Sequence, residues 1–314
     1  MANQVEVSII IPVRNSEKHL SSCLFSAVSQ DFDKPYEIII INNGSTDNSR
    51  DIIEKYSKRY KNIRHIITEG LSVGFARKRG VDEAKGKYIC FLDSDDMYKL
   101  SFLRVMHETI VSHSSDIVNC SYVKIKPNGR ITRNILARRR ILDRHGGVRS
   151  LLRDFNIRGY MPMKMYRADL IKETKLPIST KLIMFEDFLI NFALYANANK
   201  SVTLTEPLYF YRRTDESATT SLSSNRTDLH LKCFAAVRYL AENTNDPIII
   251  KEFFKRRFRY WLSIFADVFL SRIVNARPFI AELRQAEKTK RLIMSDKPLP
   301  IQGMPWEDLI KEIQ

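Results

Sequence analysis

Glycine is scarce in this chain: only 10 of 314 residues are glycine, and Pro12-Val13-Arg14-Asn15-Ser16, which follows the first apolar run, contains none. A phosphate loop of the Walker type, or the glycine-rich basic loop with which a nucleotidyltransferase holds a triphosphate, is therefore excluded. A serine-hydrolase elbow is absent as well. Cys23, Cys90, Cys120 and Cys233 are scattered without CxxC spacing, and Cys90 lies inside an apolar run, so neither a zinc ribbon nor a disulfide framework is expected. The six histidines form no pair at helical spacing with an acid, which argues against histidine-metal catalysis. No apolar run is long enough for a membrane span: Val7–Val13 is interrupted by Pro12, and the residues before it lack a basic n-region. A cytoplasmic protein is expected.

What is present in excess is positive charge. The net formal charge is +15, yet residues 1–120 balance at 16 basic and 16 acidic side chains, whereas residues 121–160 carry 11 basic against 2 acidic. Arg130, Arg133, Arg138, Arg139, Arg140, Arg144, Arg149, Arg153 and Arg158 lie in this stretch and can concentrate an anionic partner; the plainer reading is a solvated loop. Hydrophobic content of 44% supports a real core.

The first 120 residues alternate short β-rich runs with helical patterns. Strands are expected at 5–11, 36–41, 63–67 and 88–92, and helices at 16–30, 46–60 and 72–84. Runs such as Ile38-Ile39-Ile40-Ile41 lack polar alternation, as expected where helices cover both faces of a mostly parallel sheet. Ligands of such sheets gather at the carboxyl ends of the strands. Three polar clusters fall there: Pro12 to Asn15, Asn42 to Ser45, and Asp93-Ser94-Asp95-Asp96. Aspartates have poor strand propensity and are costly to bury unpaired, so three of them at a strand end want a cation, a ligand hydroxyl or water. Carboxylate oxygens suit Mg²⁺ or Mn²⁺, which in turn suit a diphosphate. Alone, such a motif is more often a turn or a helix cap. A further strand is expected over 116–123, with a hairpin closing at Pro127, Asn128 and Gly129, and a helix near 100–111 that Asp96 would cap.

The segments Val7 to Asn15, Glu37 to Asp47, Gly74 to Gly80 and Phe91 to Asp96 together resemble the family-2 inverting glycosyltransferases, in the right order and spacing. The resemblance implies an α/β chain with a GT-A, Rossmann-like fold: a mostly parallel central sheet flanked by helices. Residues 1–224 would form the transferase domain, with the nucleotide-sugar part at about 1–125 and the acceptor part at 126–224. By the same resemblance Pro12, Asn15, Asn42, Arg77, Asp93, Ser94 and Arg212 would bind the nucleotide-sugar, and Asp95 with Asp93 would hold Mn²⁺ or Mg²⁺. The Glu186-Asp187 pair in Met184-Phe185-Glu186-Asp187-Phe188 resembles the family's ED motif. It implies Asp187 as the general base, with Glu186 and Lys164 toward acceptor or donor sugar. Asn42 and Asn43 stand where the family commonly has Asp, and Thr214 stands where it often has His. The base reading and the third metal ligand are left open by these departures.

The implied activity is hexosyl or N-acetylhexosaminyl transfer from a UDP-sugar to a glycan, an anionic surface polymer or a lipid-linked acceptor in bacterial cell-surface polysaccharide synthesis. The competing reading is an inactive transferase-like domain that binds an anionic polymer or membrane. Nucleic acid is not an expected partner, since sequence-independent anion binding does not need Asp93, Asp95 and Asp187 together. Residues 225–314 read as a helical appendage. Its segment 251–265 interleaves Lys and Arg with Phe, Tyr and Trp, as a helix lying on the inner face of the plasma membrane would. Burial of those aromatics against the main domain or in a homo-oligomer is the alternative.

Overall fold

The computed structural model describes residues 4–70, 72–135, 138–153, 160–180, 185–214, 226–256, 291, 295, 302 and 307–314. The amino-terminal half alternates β1 (Val7–Val13), α1 (Glu17–Val28), β2 (Tyr36–Asn43), α2 (Ser49–Arg59), β3 (Ile63–Thr68), α3 (Val73–Glu83) and β4 (Tyr88–Phe91). After these come β5 (Met97–Tyr98), α4 (Phe102–Ser112), β6 (Ile117–Ile125), β7 (Ile131–Asn134), β8 (Arg140–Asp143), α5 (Arg144–Arg153), β9 (Lys164–Arg167), α6 (Ala168–Glu173), α7 (Glu186–Asn197), β10 (Lys200–Arg212), α8 (Arg226–Asn243) and α9 (Glu307–Ile313).

One ten-stranded sheet runs in the order β3-β2-β1-β4-β9-β6-β10-β5, with β7 added to β6 and β8 to β10. Strands β1, β2, β3, β4, β6 and β10 point the same way, and β9 runs antiparallel between β4 and β6. The all-isoleucine run of β2 is buried because helices cover both faces: Ile39 and Ile41 pack into one core cluster, Ile38 and Ile40 into the other. Each such side chain contributes roughly 1.5–3 kcal/mol over an exposed position.

Two devices bring the edge of the sheet into register. Gly80 on α3 lies so close to β1 that a Cβ would meet Ile10 Cγ2 at 2.3 Å, which lets α3 ride directly on the sheet and carry Arg77 to the strand ends. Asp116, at the start of β6, accepts from Arg167 Nε of β9 at 2.9 Å and from the amides of Asn199 and Lys200 leading into β10, at 2.7 and 3.1 Å. The expected hairpin closes at Gly129, whose φ of 76° is left-handed, and joins β6 to β7.

The carboxy-terminal helices share the core of the rest. Cys233, Phe234 and Ala236 of α8 and Leu309 and Ile310 of α9 are buried in one cluster with Phe188 and Phe192 of α7. Within the basic-aromatic segment, Phe253 turns inward against Phe234 at 5.2 Å between centroids, and the Arg238 guanidinium lies 4.9 Å from the Phe254 ring. Residues 257–265 of that segment lie outside the described residues. Among the described residues no helix is long and apolar enough to cross a membrane.

Candidate functional site

The loops after β1, β2 and β4 are stitched together at the carboxyl edge of the sheet. Asn15, at a left-handed φ of 49°, accepts from the Thr46 amide at 2.8 Å, and its own amide donates to Ser45 Oγ at 3.2 Å. Asn42 is buried and accepts from the Ser45 amide at 3.1 Å. Both side-chain carbonyls are therefore spent on the backbone of one turn. Pro12 is buried opposite Ile41 in the sheet. Ser94, from the acidic motif, shares a hydrogen bond with Ser16 at 2.6 Å, which ties the third loop to the first.

The four residues after Leu92 are divided in purpose. Asp96 does not cap the helix that follows, which starts at Phe102 after Ser101. Its buried carboxylate instead accepts from Tyr209 Oη at 2.5 Å and from the Arg212 amide at 2.6 Å, pinning β10 to the acidic loop. Proximity in space outweighs proximity in chain here, because a buried carboxylate needs donors and β10 supplies two. Burial, with Asp95 and Asp93 close by, pushes the Asp96 carboxyl well up. Asp95 is pushed up to about 6, first by burial and then by Asp93. Among the described residues no side chain donates to its carboxylate; Arg212 Nε goes to the Asp95 backbone oxygen at 3.1 Å.

Arg77 of α3 lies beside Asp93, with its side chain 6% exposed. One terminal nitrogen donates to Asp93 Oδ1 at 3.0 Å, while the other reaches Glu186 Oε1 at 3.4 Å and, in a short contact, Asp187 Oδ1. Burial opposes the charge on Arg77, but Asp187, Asp93 and Glu186 outweigh it and raise its pKa. Glu186 and Asp187 open α7, after Phe185 in a left-handed conformation with φ of 68°. Both acids of the pair thus turn toward the same guanidinium. Asp187 also accepts from the Met161 amide at 3.3 Å, and its backbone oxygen takes Asn191 Nδ2 at 2.9 Å. Burial lifts the carboxyls of both: Glu186 to about 7, with Asp187 adding to the rise, and Asp187 above the ordinary carboxylate range despite Arg77. Lys164 is fully buried and donates to the Tyr160 carbonyl at 2.5 Å; burial draws its pKa down to about 7, against Asp187 and Cys120, which hold it up.

The structure brings Asp93, Arg77, Glu186 and Asp187 into one network, with Asp95 two residues from Asp93 and Lys164 below it. Sequence reasoning did not single out the Met161 amide or Tyr160, since a backbone donor leaves no residue-type signal. Among the described residues no group of three or more His, Cys, Asp or Glu has the arrangement of a metal cage. Two carboxylates at a strand end are nonetheless what Mg²⁺ takes when phosphate oxygens and water complete its shell. Asp95, half-buried beside a second carboxylate and with no side-chain donor among the described residues, fits that role.

The sequence and the fold both have counterparts among known proteins. The sequence matches the profile "Glycosyl transferase family 2" over residues 8–174. A putative glycosyltransferase, EpsH of Bacillus subtilis, is 31% identical over 209 residues, covering 66% of this chain and 60% of that protein. TarS of Staphylococcus aureus, a poly(ribitol-phosphate) beta-N-acetylglucosaminyltransferase, is 28% identical over 264 residues, covering 82% of this chain and 45% of TarS. The chain thus spans about half the length of these curated relatives. The crystal structure of S. aureus TarS 1–349 in complex with UDP-GlcNAc superposes with a TM-score of 0.71 at 22% identity, covering 95% of this chain and 82% of that one. The shared architecture is the GT-A fold. The mannosyltransferase PcManGT from Pyrobaculum calidifontis, in complex with GDP-Man and Mn²⁺, superposes with a TM-score of 0.55 at 10% identity, covering 99% and 85%.

Proposed function

Since the chain belongs to glycosyltransferase family 2, we propose that it moves a sugar from a UDP-sugar to a hydroxyl of a cell-surface glycan or anionic polymer, with inversion at the anomeric carbon. The observation that carries this reading is the single network of Arg77, Asp93 and Asp187 at the carboxyl edge of the sheet, beside Asp95. An anionic polymer accords with the arginines of 121–160.

In this reading the stitched loops carrying Pro12, Asn15, Asn42 and Ser94 receive the nucleoside. Asp95 and Asp93 would hold Mg²⁺ or Mn²⁺, which when bound supplies a Lewis acid that neutralises the departing diphosphate. Arg212, whose amide is held by Asp96, would turn its guanidinium to phosphate oxygens. Asp187 takes the proton of the acceptor hydroxyl as that oxygen attacks the anomeric carbon from the side opposite the leaving group. Burial that raises its pKa makes it a better proton acceptor than an exposed aspartate. Glu186 shares Arg77 with Asp187 and would orient a sugar hydroxyl. Residues 226–256 and 307–314 would act as support for α7 through their common core. The test is UDP release by the purified protein from a panel of UDP-sugars with and without Mg²⁺ or Mn²⁺, and its loss in Asp187→Asn.

A further inference from the structure

Tyr122, Tyr160 and Tyr211 take no part in the chemistry above, yet they gather beside it. Tyr122 lies on β6, Tyr211 on β10 and Tyr160 just ahead of β9. Their ring centroids form a near-equilateral triangle: 6.2 Å from Tyr122 to Tyr160, 6.3 Å from Tyr122 to Tyr211 and 6.5 Å from Tyr160 to Tyr211. The cluster is tied to both halves of the site. The Tyr160 carbonyl holds Lys164 Nζ, and the amide of the next residue, Met161, donates to Asp187. Tyr211 precedes Arg212, whose amide holds Asp96.

These rings are only partly core: Tyr122 and Tyr211 pack against the buried cluster beneath them, without being enclosed by it. Tyr98, Tyr166, Tyr195 and Tyr209 are at most 3% exposed, whereas Tyr160 is 42% exposed, and Tyr122 and Tyr211 are half-buried. No described residue is hydrogen-bonded to any of the three hydroxyls. Aromatic faces that stay wet, with free hydroxyls at their rims, present an apolar plane and polar handles together. That is the complement of a pyranose ring, whose axial C–H groups form an apolar face and whose hydroxyls line the edge.

Cations flank the same wall. Lys124 Nζ sits 5.7 Å from the Tyr211 ring centroid. At the turn before the neighbouring strand β7, whose Thr132 is in register with Lys124, Arg130 is exposed and has no ion-pair partner among the described residues. A chain leaving the wall along β6 would meet positive charge.

We propose that Tyr122, Tyr160 and Tyr211 form the acceptor subsite, packing around the ring of the sugar that is to be glycosylated, while Lys124 and Arg130 read an anionic group on that unit or the next. This rests on the transferase reading above and narrows it: the acceptor is a cyclic sugar bearing phosphate or carboxylate, in preference to an open-chain polyol phosphate.

Saturation-transfer NMR with the full chain, UDP and MgCl₂ tests this while reporting on the donor site in the same tube. The probes are methyl N-acetyl-β-glucosaminide, its 6-phosphate, methyl β-glucuronide and ribitol 5-phosphate. The expected result is saturation of UDP and of ring protons of the two anionic sugars, with the phosphate and glucuronide arms distinguishing the anion, and weaker transfer to the neutral sugar and to ribitol 5-phosphate. Tyr160→Ala should weaken the sugar's apparent affinity about fivefold, and Tyr160→Phe by less, while both still saturate UDP. Tyr122→Leu is the second variant, altering the wall without touching the segment that carries Met161. UDP saturation without any sugar signal, sugar signals unchanged in both Tyr160→Ala and Tyr122→Leu, or ribitol 5-phosphate binding as well as the rings would overturn the proposal. Absence of UDP saturation as well would overturn the transferase reading beneath it.

Discussion

Nη1 of Arg77 donates to Oδ1 of Asp187, a residue 110 positions further along the chain, while its Nη2 donates to Asp93. One planar guanidinium, largely shielded from water, therefore joins the acid that opens the proposed diphosphate site to the acid proposed to take the proton. An arginine suits this bridge because its fork presents two parallel donors; a lysine offers a point charge.

Removing that cation leaves three partly buried carboxylates facing one another. Arg77→Gln should lower folding stability by about 3 kcal/mol at neutral pH, read from urea denaturation. Because burial has raised the carboxyl of Glu186 to about 7, protonation relieves the repulsion, and the deficit should shrink by about pH 5. Arg77→Lys should recover only part of the loss.

Asp187→Asn removes the proton acceptor while leaving an oxygen for the Met161 amide. Transfer should fall at least about 100-fold, with the affinity for UDP-sugar changed by less than about threefold. Turnover close to wild type in the purified variant would sink the assignment of the base.

The acid limb of kcat/KM should reflect the raised carboxyls. A base whose pKa is raised stays protonated until the pH climbs through the raised value, so activity should fall as pH drops, with a midpoint above the ordinary carboxylate range. Burial sets the rise, and the negative charge of Asp93 adds to it while Arg77 opposes it.

Much of this arrangement was legible before any coordinates, and the reasons are local. Ile38 to Ile41 and Tyr88 to Leu92 announce buried parallel strands because an unbroken apolar run needs cover on both faces. The acids after Leu92 stood out because carboxylates at a strand end demand partners. Asp187 was marked by the Glu-Asp pair it belongs to. What could not be read depends on distant partners. Strand β9 is short and flanked by Lys164 and Arg167; only its register beside Cys90 and Val118 makes it an inner strand. Asp96 reads as a helix cap until Tyr209 and Arg212, more than a hundred residues away, arrive as its donors. The three carboxylates on Arg77 are a property of the folded sheet edge and have no signature in the α3 sequence.

The helix that carries Arg77 depends on a missing side chain. Gly80→Ala would place a methyl 2.3 Å from Ile10 Cγ2 and should cost about 1–3 kcal/mol in a denaturation experiment. Ile10→Ala in the same chain removes the obstructing methyl, so the two losses should be less than additive.

The central claim is that the acidic edge at Asp93 and Asp95 receives the diphosphate of a UDP-sugar through a divalent cation. Isothermal titration of UDP-GlcNAc into the wild-type chain and into Asp95→Ala, each with MgCl₂ and with EDTA, tests it most directly. The account predicts binding to the wild type that depends on Mg²⁺ and is at least about tenfold weaker in Asp95→Ala. Equal binding in all four titrations, or binding of no UDP-sugar at all when the panel is tried, would contradict it.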